Sequence, residues 1–136
     1  MAIPNGGGGY QVGAGNNNET ILSYGAAPQT ATDTATLTAA QIVGGMLVAT
    51  PTANSTLTLP TGALIDAAVP NARIGSTFDL ALVNAAAATY TAAFALSTGV
   101  TNGGNAVVSL AAATSAMFRF RKTGDGTFVV YKIAQS

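Results

Sequence analysis

Ala116-Met-Phe-Arg-Phe-Arg-Lys-Thr-Gly-Asp-Gly-Thr-Phe-Val-Val-Tyr-Lys-Ile133 decides the fold class, because two alternating runs flank a Gly-Asp-Gly turn. Alternation with period two marks strands, and aromatic and β-branched residues favour that state. Gly124-Asp125 suits a two-residue type II′ loop, since glycine accepts the positive φ of the first central position. In that register Phe118 pairs with Tyr131, Phe120 with Val129, and Ala116 with Ile133. These residues share one apolar face and are predicted to join the core. Met117, Arg119, Arg121, Phe128, Val130 and Lys132 take the other face. A slip of one residue puts Lys132 opposite Phe118 and mixes the faces, so the hydrophobic pattern favours the first register. The cationic face reads as a semi-exposed contact surface or as Arg and Lys stems lying over a sheet.

Upstream of the hairpin the same periodicity recurs. Thr occupies every even position from Thr30 to Thr38, which predicts an extended segment with a threonine face. Thr38-Ala-Ala-Gln41 matches a capping box, and Gly44-Gly45 closes the single helical turn it opens. Met46 to Thr50 reads as a buried strand ended by Pro51, and Thr56 to Leu59 as another that stops at Pro60. Thr61 caps a short helix through Ala68, and Pro70 terminates it. Ile74, Ser76, Phe78, Leu80 and Leu82 fall on one face of a long strand, with Thr77 and Asp79 on the other. Ala85 to Ala88 favours helix by propensity, but Tyr90, Ala92, Phe94 and Leu96 keep period two and predict a strand over 89–97. Asn102-Gly-Gly-Asn105 is a turn before a strand from Ala106 to Leu110. The whole predicts an all-β domain over 30–136, a sandwich or jelly-roll-like barrel with short helical turns.

Residues 1–29 differ in composition, with Gly6 to Gly9, Gly13, Gly15 and Asn16 to Asn18. Glycine loses the most backbone freedom on ordering, so this stretch reads as a flexible N-terminal arm. Ile3, Pro4, Tyr10 and Val12 are spaced along it like anchors for a neighbouring subunit. The plainer reading is a frayed terminus.

The chemistry is sparse. The 136 residues include no His and no Cys, and only five acidic and five basic side chains. Most catalysis near neutral pH needs a group that exchanges protons there, a soft nucleophile or a metal-ligand cluster. The aspartates, Asp33, Asp66, Asp79 and Asp125, are scattered, and nothing signals the carboxylate pair of a glycosidase. Gly124-Asp125-Gly126 is accounted for as a turn without a calcium ion. The run Gly6 to Gly9 lacks the Lys-Ser/Thr of a phosphate loop. No cofactor or metal is expected, and the chain reads as structural rather than enzymatic.

Charge narrows the partners. At 7%, charged residues fall far below the roughly 25% of an average soluble domain. A lone monomer with so few charges is poorly protected from self-association, so a homo-oligomer is expected. Residues 1–72 carry Glu19, Asp33 and Asp66 and no cation, whereas Asp79 and Asp125 face five cations from Arg73 onward. Net charge is zero, which does not favour nucleic acid or an acidic membrane. Arg119, Arg121 and Lys122 beside phenylalanines suggest a nucleic-acid stacking platform, but cations and aromatics alternate onto opposite faces. A sugar-binding platform would usually show tryptophan, and there is none. The start Met-Ala-Ile-Pro-Asn has neither the charged nor the apolar region of a signal peptide. No apolar run reaches the ~18–20 residues of a membrane span.

The order of segments resembles virion structural proteins of tailed bacteriophages. Thr36-Leu-Thr-Ala-Ala-Gln-Ile-Val-Gly-Gly45, Thr50-Pro-Thr-Ala53 and Thr56-Leu-Thr-Leu-Pro-Thr-Gly62 carry the likeness. So do Ile74-Gly-Ser-Thr-Phe78, Val83-Asn84, Tyr90-Thr91, Gly99-Val100 and Tyr131-Lys-Ile133. Within that group the chain looks most like head decoration, or capsid cement, proteins. The resemblance implies a β-rich module without catalytic residues, made in the host cytoplasm. It also implies an oligomer, commonly a trimer, on the capsid exterior, with the major capsid protein and its own copies as partners. Candidate contacts are Ile3, Pro4, Tyr10, Val12, Arg119, Arg121 and Lys132. The alternative is a tail-fibre, baseplate or head-fibre domain contacting host glycans.

Overall fold

A computed structural model describes Leu22 and residues 25–136. Ile3, Pro4, Tyr10 and Val12 lie outside the described residues. The described residues form ten strands and two short helices: β1 Gln29–Ala31, β2 Ala35–Thr36, α1 Ala39–Val43, β3 Met46–Ala49, β4 Ser55–Thr58, α2 Gly62–Ala68, β5 Thr77–Asn84, β6 Ala92–Ala95, β7 Val100–Asn102, β8 Ser109–Leu110, β9 Ser115–Gly124 and β10 Thr127–Gln135. They build a six-stranded sheet, ordered β1-β3-β5-β9-β10-β7, and a four-stranded sheet, ordered β2-β4-β6-β8. Of the architectures expected, the two-sheet sandwich is the one formed. Among the described residues no helix is long and apolar enough to cross a membrane.

The first half winds between the layers. β1, β3 and β5 pair in parallel in one sheet, and β2, β4 and β6 do so in the other. Each turn of this coil places one strand in each sheet, and α1 and α2 carry the chain back. Parallel neighbours require such crossovers, because a tight hairpin joins only antiparallel strands. Both helices start where a threonine predicts. Thr38 and Gln41 form the reciprocal capping box, and Leu64 donates to the Thr61 hydroxyl at 3.4 Å. The predicted threonine strand is broken into β1 and β2. Asp33 between them turns aside to accept from the Thr52 backbone N–H at 2.7 Å and from its hydroxyl.

The core lies between the sheets. Ile42, Leu47, Leu57, Leu59, Ile65 and Leu80 are completely buried, with Leu82, Leu110 and the phenylalanines beside them. Phe94 meets Phe118 edge-on at 4.7 Å between ring centroids, joining the two sheets. Phe78 stacks on its cross-strand partner Phe120 at 4.9 Å. Such aromatic pairs add about 0.5–1.5 kcal/mol beyond the area they bury.

The final hairpin departs from the predicted register by one residue. Val130 pairs with Phe120, Tyr131 with Arg119, and Lys132 with Phe118. The loop is Asp125-Gly126, and the positive φ of 65° falls on Gly126 rather than Gly124. A further irregularity lies between Lys132 and Ala134. The core therefore takes Phe118, Phe120, Phe128 and Val130, while Tyr131 and Ile133 are exposed and Val129 is half-buried. The cation that the slip turns inward is Lys132, half-buried opposite Phe118, whereas Lys122 shares the Phe118 and Phe120 face in either register and is buried there. Lys122 is accommodated because its Nζ donates to Asp66 Oδ1 at 2.6 Å and to the Ala72 carbonyl at 3.3 Å.

Other boundaries moved as well. The strand predicted over 89–97 is confined to Ala92–Ala95, and Tyr90 is exposed. Of Ala106 to Leu110 only Ser109–Leu110 pairs, although Ala106 is buried in the preceding loop. β7 was unanticipated and pairs in parallel with β10. Ile74 is exposed ahead of β5, and Met46, predicted to be buried, faces solvent.

Two polar clusters fix the loops. Asn84 is fully buried at the end of β5, donating to the carbonyls of Tyr90 at 3.0 Å and Leu110 at 2.9 Å. Its Oδ1 accepts from the Ala86 N–H at 3.0 Å. At the other end, the start of α2, the turn before β7 and the hairpin loop meet backbone to backbone. A Cβ on Gly62 would lie 2.0 Å from the Gly126 carbonyl oxygen, and one on Gly99 would lie 2.4 Å from the same atom. Only glycine permits that approach.

Candidate interaction surface

The outward positions of the six-stranded sheet follow from strand alternation. β5 turns Thr77, Asp79, Ala81 and Val83 away from the core, and β9 does the same with Ser115, Met117, Arg119 and Arg121. Met46 and Val48 of β3 extend this surface on one side. Val129 and Tyr131 of β10 extend it on the other. Met46 is 41% exposed, Met117 37% and Tyr131 39%, so three large apolar side chains are partly open to solvent on this face. The Tyr131 ring lies over Gly103, where a Cβ would come within 2.2 Å of it.

The strand pairings order these residues into rows across the sheet. Met46, Ala81, Met117 and Ala134 are successive partners through β3, β5, β9 and β10. Val48, Val83 and Ser115 form the next row. Asp79, Arg119 and Tyr131 form the row on the opposite side of the methionines. A shallow groove of about 430 Å³ opens over the first two rows, bordered by Met46, Met117, Ala134 and Ser136.

Arg119 and Arg121 therefore do share an exposed face, as predicted. Arg119 makes a bidentate pair with Asp79, Nε to Oδ1 at 2.8 Å and an Nη to Oδ2 at 3.0 Å. That hydrogen bonding holds the Asp79 carboxyl below its ordinary range and raises the guanidinium further above its own. Arg121 has no ion pair among the described residues. Lys132 does not join them. It sits at the other parity of β10, half-buried, with its Nζ on Gln135 Oε1 at 2.6 Å and its backbone tied to Asn105. The arm candidates Ile3, Pro4, Tyr10 and Val12 lie outside the described residues.

Sequence reasoning missed the Met46–Ala81–Met117–Ala134 row. The alternation of β5 and β9 was visible, but their pairing with each other was not. It also missed the Asp66–Lys122 pair, whose members are 56 positions apart. Asp66 lies below the ordinary carboxylate range, first through its bond from Lys122 and then through the Gly126 N–H at 2.9 Å. Asp33 is lowered by the Thr52 backbone and side chain. These carboxylates serve turns and packing. Among the described residues no group of three or more Asp or Glu is placed to hold a metal ion.

The surface is thus a charge-poor sheet face with one ion pair and a stripe of alternating large and small side chains. Comparison with protein-family models, with curated proteins and with solved structures finds no match to the chain.

Proposed function

We propose that this protein is a structural component of a tailed-phage virion, binding the outer surface of the capsid as an oligomer and stabilising the shell. The observation that carries the reading is the outer face of the six-stranded sheet, which leaves Met46, Met117 and Tyr131 in solvent on a chain with 7% charged residues. Such a face needs a partner surface. Another copy of the chain can supply that surface, and the likeness of residues 34–134 to head decoration proteins supports the major capsid protein as what the resulting oligomer binds.

The mechanism is passive. Each copy contributes modest contacts, and linking copies raises their effective concentration over a symmetric site. A ligand that binds the assembled shell and not its loosened form stabilises the shell by mass action. The candidate contacts of the arm, Ile3, Pro4, Tyr10 and Val12, would add anchoring beside the sheet. Arg119 and Arg121 belong to the sheet face itself.

Electron microscopy of the virion tests the proposal. Decoration predicts density for this chain over the whole head, in hundreds of copies. Density confined to a tail fibre, baseplate or head fibre would instead support the alternative of a host-glycan contact. Absence from the particle would end both.

A further inference from the structure

The geometry points to the outer face of the six-stranded sheet as a twofold interface at which two copies of this chain pack face to face. The argument lies in how the rows reflect onto themselves. An axis parallel to the strands and running between β5 and β9 lays β5 of one copy over β9 of the other, and β3 over β10. The row Met46–Ala81–Met117–Ala134 then meets its own reverse. Each methionine comes over an alanine of the second copy, Met117 over Ala81 and Met46 over Ala134.

The flanking rows obey the same axis. Asp79 of one copy faces Arg119 of the other, and Arg119 faces Asp79, so the existing pair becomes a four-charge cluster. On the other side Val83 comes over Ser115. Large meets small and acid meets base in successive rows, with no like charges opposed. Other stackings do not all keep this match. A half-turn about an axis along the rows, for example, sets each methionine against a methionine.

Size points to a modest interface. β9 has 10 residues. At ~3.3 Å per residue it is about 33 Å long, and four strands at ~4.8 Å are about 19 Å wide. β3, β5 and β10 are shorter, with 4, 8 and 9 residues, so the four strands project about 490 Å² per copy, somewhat under the roughly 600–1,000 Å² that each partner buries in a stable interface. Two twisted sheets pack aligned at about −30° and some 10 Å apart, which keeps the rows matched near the axis and separates them at the corners. The methionines lie near that axis, where a flexible thioether fills an irregular gap well. A contact of this kind is isologous and closes at two copies, not at the three that the family resemblance suggests.

The pairing concerns the chain alone and is tested without a capsid, so its outcome is separate from that of the virion experiment. Sedimentation equilibrium of the full chain at tens of micromolar should give twice the 13.4 kDa chain mass. Met117→Glu buries a carboxylate against Ala81 of the second copy and should weaken association at least about a hundredfold, leaving a monomer with unchanged far-UV circular dichroism. Leu64→Glu and Val107→Glu, exposed elsewhere, should keep the dimer. On the wild-type protein, the Met46 and Met117 methyl resonances should shift together on dilution, a readout that needs no variant. A wild-type monomer at these concentrations, a threefold mass, or a folded Met117→Glu variant that still dimerises would overturn the proposal.

Discussion

Replacing Asn84 with alanine tests whether one buried amide holds the loops at one end of the sandwich. Asn84 is fully buried and satisfies three backbone groups on two separate loops. Truncation leaves the Leu110 carbonyl orphaned in the interior, at a cost of about 1–3 kcal/mol. The Tyr90 carbonyl and the Ala86 N–H lie nearer the surface, where water replaces part of each bond, so about 0.5–1 kcal/mol apiece is the expected loss. The total is about 3 kcal/mol, a large share of the roughly 5–15 kcal/mol by which a domain is stable. At this chain length it lowers Tm by about 10 °C. Urea unfolding gives the free energy, and amide exchange at Ala86 reports the loop directly. Asn84→Asp sharpens the test, since an ionised carboxylate would face two carbonyl oxygens. Its folded-state pKa must rise above the unfolded value of about 3.9, so this variant gains stability as pH falls and loses it as pH rises. A loss under about 0.5 kcal/mol for Asn84→Ala, with unchanged exchange at Ala86, would refute the reasoning.

Further outcomes follow from other sites. Gly62→Ala drives a methyl into the Gly126 carbonyl and should cost about 3 kcal/mol in urea unfolding, whereas Gly25→Ala, with open space around it, should change nothing measurable. Phe120→Ala should cost about 3–5 kcal/mol and Tyr131→Ala less than about 1, and equal losses would restore the first hairpin register. Ala113 has φ 61°, so Ala113→Gly relieves left-handed strain and should raise the urea midpoint by the equivalent of about 0.5 kcal/mol, net of the extra freedom of the unfolded glycine chain. Asp33, Asp66 and Asp79 are all held below their ordinary pKa. Their stabilisation is present above the unfolded value of about 3.9 and is lost as pH falls through the folded values. Stability should therefore decline below about pH 4, and Asp66→Asn should flatten that decline; an unchanged slope would remove Asp66 from the account.

Local signals carried the fold class and both helix starts. Thr38 and Gln41 lie three residues apart, and Thr61 and Leu64 likewise, so their caps depend on nothing distant. The inward set of β5 was equally visible in Phe78, Leu80 and Leu82. The hairpin register was not, because polarity failed to rank its faces. Val129, Tyr131 and Ile133 are about as apolar as Phe128 and Val130, which left the cations to decide. Lys132 opposite Phe118 looked like an error, yet it is tolerated half-buried, with its backbone tied to Asn105 27 positions away. The alternation of strands between two sheets was hidden for a similar reason. Parallel ladders such as Leu47 with Leu82 join segments that carry no mark of one another. The contact face inherits that limit. Arg119 and Arg121 were read correctly as outward neighbours on one strand, whereas the alternating methionine and alanine row exists only once four strands are aligned.

The place of the hairpin in the six-stranded sheet has a consequence for synthesis. β9 and β10 are made after the other strands of their sheet, yet they sit between β5 and β7. Until residues 115–135 have left the ribosome, β5 has a bare edge and β7 has no strand beside it. At roughly 5–20 residues per second, the nascent chain spends several seconds with its apolar layer half-closed. During that interval the exposed strand edge of β5 invites pairing with another chain. Growth at lower temperature, or a holdase chaperone that shields the waiting edge, should raise the soluble yield of this protein.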